Sequence, residues 1–380
     1  MSFSSLGLYA TLVKKLTAIG YADPYPIQQQ AIPAILQGKD VLGIAQTGSG
    51  KTASFVLPIL QRLQHKIPIK NRFINALILV PTRELAVQVG DVFSLFAEVM
   101  PRKIKSLSVY GGVSINTQMM NLQNVEILIA TPGRLLDLIN MNSLDISEID
   151  ILVLDEADKM LNMGFKNEMD SIFKLLPTKR QNLLFSATLG KDINTITEIL
   201  LHNPVKIQVQ EEKQNLDLIT QQCYAVTEER KGPLLRYLIQ QQQMQQVLVF
   251  TSSIHRTDAV VEKLKIHGVE AAAMHSKKSQ GARTDALANL KSGKLKVLVA
   301  TDLASRGIDI QFLPFVVNYE LPRSPKDYIH RIGRTGRASS AGTAISLITE
   351  EEQHHFAIIQ KKMGKKVEIV DTKDFDLQGY

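Results

Sequence analysis

Short apolar runs rich in β-branched residues recur along this chain with amphipathic stretches between them, and that alternation restricts its fold more than any other feature. Residues 41–45, 76–80, 126–130, 151–154, 182–185 and 205–209 have the length and composition of buried strands. Between them, stretches such as 52–64 and 84–99 repeat apolar residues at helical spacing. Alternating elements of this kind predict parallel sheets flanked by helices. The pattern stops at the polar stretch 210–219 and resumes at 247–250, 271–274, 296–300, 315–319 and 343–347. The expected architecture is therefore α/β, with two tandem domains, 1–209 and 220–380, each a mostly parallel sheet flanked by helices, joined by a short polar linker at 210–219. In a chain of 380 residues each half is large enough to bury its own core.

Charge and cysteine content narrow the partners and the compartment. The 44 Lys and Arg against 37 Asp and Glu leave a net charge of +7, a mild excess compatible with a polyanionic partner or with ordinary solubility. No apolar run is long enough to cross a membrane. Lys14 and Lys15 follow the first apolar residues, whereas a secretory leader carries its charges ahead of them. A single cysteine, Cys223, excludes an internal disulfide, so a reducing cytoplasm is expected.

The chemistry begins directly after the first strand, with Gln46, Thr47, Gly48, Ser49, Gly50, Lys51 and Thr52 leading into a helical stretch. This is a phosphate-binding loop in its strand–loop–helix setting. Gly48 and Gly50 let the backbone turn its N–H groups toward phosphate oxygens, and the helix N-terminus adds a positive dipole end. Lys51 is expected between the β- and γ-phosphates and the Thr52 hydroxyl on Mg²⁺. The strand 151–154 delivers Asp155, Glu156, Ala157 and Asp158. A carboxylate at the C-terminal end of such a strand suits the Mg²⁺-holding role, and Glu156 beside it is placed to orient or deprotonate an attacking water. Far along the chain, Arg331, Arg334 and Arg337 recur at three-residue spacing. Permanently charged forks suit the charge that builds on a transferring phosphoryl group, and closure of two domains would bring them there.

With these residues placed, the sequence resembles the DEAD-box ATP-dependent RNA helicases over nearly its whole length, with their elements in family order. Phe3, Tyr21, Pro26, Ile27 and Gln28 resemble the adenine-reading Q motif, and Ala45 stands where that family also has alanine. Pro81, Thr82, Arg83 and Glu84 follow, then Gly111 and Gly112, then Thr131, Pro132, Gly133 and Arg134. After the acidic tetrad come Ser186, Ala187 and Thr188. The second half supplies Gln280, Arg283, Thr301, Asp302, Arg306, Gly307, Asp309 and the stretch 330–337. The phrases at 181–188, 201–204, 278–284 and 318–322 look most like the bacterial RhlE subfamily.

The resemblance implies two RecA-like domains, the first carrying the Q motif and the ATP site. Gln28 matches the base-reading glutamine, Tyr21 the stacking aromatic, and Asp309 the residue that reaches the ATP ribose. Arg334 and Arg337 match the arginine fingers, with Arg331 in support. RNA contact is implied for Pro81, Thr82, Arg83, Gly111, Gly112, Thr131, Arg134, Arg283 and Thr301. Asp158, Ser186, Thr188 and His330 match a network linking nucleotide state to RNA grip. Three places depart from the family pattern, one of them Ala338, Ser339 and Ser340, which replace the usual glycine-rich continuation after Arg337. Tyr25 stands where threonine or serine is usual, and Ser276 replaces a glycine, at a cost of about 1 kcal/mol if its φ must be positive.

The expected activity is ATP-dependent binding and local unwinding of RNA, or remodelling of ribonucleoprotein, with hydrolysis of ATP to ADP and phosphate for release. Hydroxyls, arginines and glycine amides in the implied RNA segments suit phosphates and 2′-hydroxyls rather than base edges. An ATP-gated RNA clamp with little unwinding would use the same residues. A DNA-directed helicase is disfavoured by the implied 2′-hydroxyl contacts, and a P-loop transporter or kinase by Gln28 and the late arginines. The expected protein is a cytoplasmic monomer that uses ATP and Mg²⁺, binds single-stranded RNA and short duplexes, takes no membrane partner, and works with protein partners in RNA decay or ribosome assembly.

Overall fold

Strands form where the apolar runs predict them, because parallel strands covered on both faces demand near-continuous apolar sequence. The computed structural model describes residues 2–46, 48–66, 72–209, 218–302, 313–336 and 342–380. The chain divides into two compact units, Met1–Glu211 and Glu212–Tyr380. Among the described residues, the first unit contains β1 (Val41–Ile44), β2 (Ala76–Leu79), β3 (Ser106–Val109), β4 (Ile127–Ala130), β5 (Ile151–Leu154), β6 (Gln181–Ser186) and β7 (Val205–Gln208). They pair in the order β3-β4-β2-β5-β6-β1-β7, every neighbour parallel. The second unit contains β8 (Ile219–Ala225), β9 (Val247–Thr251), β10 (Ala271–Met274), β11 (Val297–Thr301), β12 (Phe315–Asn318), β13 (Gly342–Ile348) and β14 (Ile369–Asp371). Their order is β10-β11-β9-β12-β13-β8-β14, again all parallel. Counted from its own first strand, the second sheet repeats the order of the first, so the two halves are one topology used twice.

Strand alternation divides each core. In the first unit Val41, Ile78, Ile129, Val153 and Phe185 turn to one face, where Phe55 and Phe93 of the covering helices meet them. Leu42, Leu77, Leu128, Leu152 and Leu184 turn to the other. Among the described residues no helix is long and apolar enough to cross a membrane.

Three strands escaped the sequence pattern. β3 alternates serine with apolar residues and is only half-buried at a sheet edge, β8 carries two glutamines, and β14 is exposed throughout. β8 begins at Ile219, a residue that polarity had placed in the linker.

The strands of the first unit are tied at their N-terminal ends by one carboxylate. Asp40, 7% exposed, accepts from the Asn182 backbone N–H (2.7 Å), the Asn182 Nδ2 (3.3 Å) and the His202 N–H (2.8 Å), joining the entries to β1, β6 and β7. Removing it strands buried donors, each of which costs about 1–3 kcal/mol. Asp40→Ala should therefore lower unfolding stability by about 3 kcal/mol in urea titration; a loss below about 1 kcal/mol would show that water replaces the carboxylate at no cost.

Candidate functional site

Apart from the Q motif, which precedes β1 on Phe3–Leu6, the loop at Tyr21 and the helix Pro26–Leu36, each implied functional segment of the first half follows the C-terminal end of a strand. β1 runs into 45–52, β2 into 81–84, β3 into 110–112, β4 into 131–134, β5 into 155–158 and β6 into 186–188. In an open parallel sheet that edge is where ligands bind, because strand ends and helix N-termini converge there. The strand order also sorts the segments: those of the phosphate site sit on β5, β6 and β1, and those implied for RNA on β3, β4 and β2.

At the phosphate loop, Gly48 and Gly50 both adopt φ +85°, and the helix Lys51–Leu63 starts directly after them. The Gly50 position has no room for a side chain: a Cβ there would lie 2.5 Å from the Gln28 Nε2 and 2.8 Å from the Tyr25 ring. Gln28 is fully buried; its Oε1 accepts from the Tyr25 N–H (2.9 Å) and its Nε2 donates to the Gly50 carbonyl (3.1 Å). A glutamine amide has two donors and two acceptor sites, so these two bonds use one of each. The unusual Tyr25 thus shapes the loop from outside and leaves Gln28 in place. Phe3 is a core residue, tilted against Tyr21 at 6.4 Å, while Tyr21 is 38% exposed.

The charged centre is buried. The Lys51 ammonium, 7% exposed, donates to the Ala45 carbonyl (2.5 Å). Burial pulls its pKa down, and the charges of Asp155 and Glu156 oppose that. Asp155 is 2% exposed; burial pushes its carboxyl up to about 6 against the pull of Lys51, and its Oδ1 has no hydrogen-bond partner. Glu156, 5% exposed, takes φ +54° at the start of the helix Ala157–Asn162, a left-handed conformation that costs a non-glycine residue about 1–2 kcal/mol. Its Oε1 accepts from Lys159 (2.7 Å), and its Oε2 is buried without a hydrogen-bond partner. Thr52 is half-buried on the first helical turn. Beside these groups, Thr188 Oγ1 donates to Asp158 Oδ2 (3.1 Å) and Ser186 Oγ donates to the Thr188 carbonyl (2.8 Å). Asp158, Ser186 and Thr188 therefore form one connected set at the ends of β5 and β6.

Along the other half of the same edge, Thr82 caps the helix Arg83–Ala97 by accepting from the Leu85 N–H (3.3 Å), and Pro81 is buried. The Arg83 guanidinium lies against Gly112, where a Cβ would come within 2.0 Å of Nη1; Gly112 takes φ +81° and Gly111 has open space. Arg134 is buried. It is 9% exposed, and its guanidinium donates to Gln118 Oε1 (2.7 Å) and the Val113 carbonyl (3.1 Å). It braces the segment after β3. Gln118 has no sequence signal of its own; only the partner of a buried arginine points to it. Thr131 starts the helix Pro132–Asn140.

In the second unit Arg331, 3% exposed, grips Asp302 with Nε (2.6 Å) and Nη2 (2.7 Å), reaches Asn318 Oδ1 with Nη1 (3.0 Å), and stacks on Phe250. Arg334 is half-buried, His330 exposed, Thr301 half-buried at the end of β11, and Arg283 buried in the helix Gln280–Lys291. Ser276 is not among the residues with positive φ, so serine carries no left-handed strain there. Thr47, Arg306, Gly307, Asp309, Arg337, Ala338, Ser339 and Ser340 lie outside the described residues.

Known proteins resemble this chain throughout. The DEAD/DEAH box helicase family model matches residues 25–196, and the helicase conserved C-terminal domain model matches 230–339. The chain is 40% identical over 375 residues to the ATP-dependent RNA helicase CshA of Listeria monocytogenes, covering 98% of this chain and 71% of the relative. It is 39% identical over 371 residues to the DEAD-box ATP-dependent RNA helicase RhpA of Helicobacter pylori, covering 97% and 74%. Among solved structures, S. cerevisiae Dbp5 bound to RNA and ADP BeF3 superposes with a TM-score of 0.82 at 31% identity, covering 100% of this chain and 97% of that one.

The buried Asp155 charge makes a testable demand. A carboxyl whose folded pKa is about 6, above its ordinary 3.8, costs stability that appears as pH rises through that window and amounts to about 2–3 kcal/mol. Asp155→Asn removes the charge, so the nucleotide-free variant should be at least as stable as the wild type at pH 8. Its advantage should shrink as pH falls from 7 to 5. A variant less stable at pH 8, with a gap that ignores pH, would show that the charge is already compensated.

Proposed function

This chain belongs to the DEAD-box ATP-dependent RNA helicases, and from that premise we propose how its residues divide the work. Both units are RecA-like domains, and the protein is an RNA-stimulated ATPase that binds RNA by its backbone and locally unwinds short duplexes. What carries the reading is the sorting of segments along one sheet edge, phosphate chemistry on β5, β6 and β1 and backbone-binding chemistry on β3, β4 and β2.

The loop 46–52 cradles the phosphates of ATP with backbone N–H groups, and Lys51 neutralises the β- and γ-phosphates. The donor set fits Mg²⁺: Asp155 offers a buried, unpartnered oxygen whose burial favours a bound cation, and Thr52 offers a hydroxyl. Mg²⁺ bound there would neutralise charge on the β- and γ-oxygens. Glu156 orients and deprotonates the attacking water through its carboxylate. Gln28 reads adenine with its remaining donor and acceptor, Tyr21 stacks on the base, and Asp309 reaches the ribose. Arg334 and Arg337 act as arginine fingers, with Arg331 holding Asp302 behind them.

RNA phosphates and 2′-hydroxyls are taken by Arg83, the Gly111 and Gly112 amides, Thr82, Thr131, Arg283 and Thr301, with Pro81 shaping the path and Arg134 keeping the 113–118 segment in place. Asp158, Ser186, Thr188 and His330 connect nucleotide state to RNA grip. We place the protein in the cytoplasm as a monomer serving RNA decay or ribosome assembly with protein partners; its one cysteine is buried, with its thiol pushed up to about 12 by burial. The RhlE-like placement rests on sequence phrases alone.

Displacement of a short RNA duplex, run beside ATP hydrolysis with RNA or DNA added, tests this reading. RNA should stimulate hydrolysis more than DNA, and strands should separate only with ATP. Hydrolysis without displacement would assign the clamp instead, and equal stimulation by DNA would overturn RNA specificity. Base choice gives a separate test of Gln28: ATP should be turned over and GTP scarcely, and Gln28→Ala should weaken both ATP binding and the preference. Equal turnover of GTP by the wild type would remove the adenine-reading role.

A further inference from the structure

We propose that Lys159 is a positioning residue for hydrolysis, holding one oxygen of Glu156 so that the other is fixed for the attacking water. The inference rests on the reading of Glu156 as general base. Lys159 Nζ lies 2.7 Å from Glu156 Oε1, and the pair is three residues apart across the first turn of the helix Ala157–Asn162. Its other oxygen, Oε2, is buried and has no hydrogen-bond partner. A carboxylate held at one oxygen keeps its other oxygen available to accept a proton.

The pair is not a solvated surface contact of the kind that contributes little. The Glu156 side chain is 6% exposed and that of Lys159 22%, so the ammonium acts where water screens it poorly. Glu156 also has a left-handed backbone, φ +54°, which Lys159 steadies through a backbone hydrogen bond to the Glu156 carbonyl (2.9 Å). Backbone and side chain of the same residue are thus pinned by one neighbour. Nothing in the four-residue acidic motif signals this; the signal is the i, i+3 spacing of a cation from the second carboxylate.

The test is steady-state hydrolysis at saturating RNA for Lys159→Met, Lys159→Arg and the Lys159→Met, Glu156→Gln double variant, with thermal unfolding as a check on folding. Lys159→Met should lower kcat by about ten- to a hundredfold, the scale set by misplaced catalytic groups. KM for ATP should stay within about twofold, because no binding interaction is lost. Lys159→Arg, which keeps a charged donor for the carboxylate, should recover most of kcat. In the Glu156→Gln background, Lys159→Met should add no further loss, because there is no basic oxygen left to orient. A wild-type kcat for a folded Lys159→Met overturns the proposal, as does a loss carried by KM or a full extra loss in the Glu156→Gln background. If Lys159→Met does not fold, Lys159→Arg and Lys159→Gln decide it, the first retaining kcat and the second losing it. Normal hydrolysis by Glu156→Gln alone would instead refute the general-base reading.

Discussion

The structure turns on three charges buried at the C-terminal ends of parallel strands. Lys51, Asp155 and Glu156 are each less than a tenth exposed, and the backbone of the last is held left-handed. Burying charge in this way costs stability unless a partner answers it, and here the answer is partial: Lys51 faces its own loop carbonyl, and an oxygen of each carboxylate goes unpartnered. Sites that trade stability for charge display are where binding and catalysis are found. In the proposed function ATP and a cation would supply the missing charges, and the same burial that costs the free protein would raise the strength of each contact they make.

Sheet topology places the segments proposed for nucleotide and for RNA on neighbouring strands of one edge. β6 lies between β5 and β1, the two strands that carry the acidic tetrad and the phosphate loop. From its end Thr188, held by the Ser186 hydroxyl on its carbonyl, reaches Asp158, which stands three residues after Asp155. These hydrogen bonds tie the end of β6 to the helix Ala157–Asn162, which follows the acidic tetrad. Each ligand that favours the same arrangement must strengthen the binding of the other.

Much of this was legible in the sequence because its signals are strong and local. Buried parallel strands must be apolar, so β1, β2, β4, β5 and β6 announce themselves, and the phosphate loop and acidic tetrad occur at strand ends where the chemistry needs them. Edge strands escaped: β3 and β14 are released from the need to be apolar on both faces, and β8, with its two glutamines, borders only the short β14 on one side. Contacts made by one side chain on another were also invisible. Arg134 carries a motif position yet spends its guanidinium on Gln118 and Val113, and Lys159 lies outside the motif it supports. The concern over Ser276 dissolved for a backbone reason that composition cannot show, since its φ is not positive.

The central claim is that nucleotide at the buried charges governs the grip on RNA. The most direct measurement is the affinity of Glu156→Gln for a single-stranded RNA, with and without ATP, since this variant keeps the size and polarity of the side chain but lacks the basic oxygen. The account predicts RNA binding that tightens on adding ATP and dissociates slowly, because hydrolysis no longer ends the bound state. RNA affinity that is the same with ATP and without it would contradict the account.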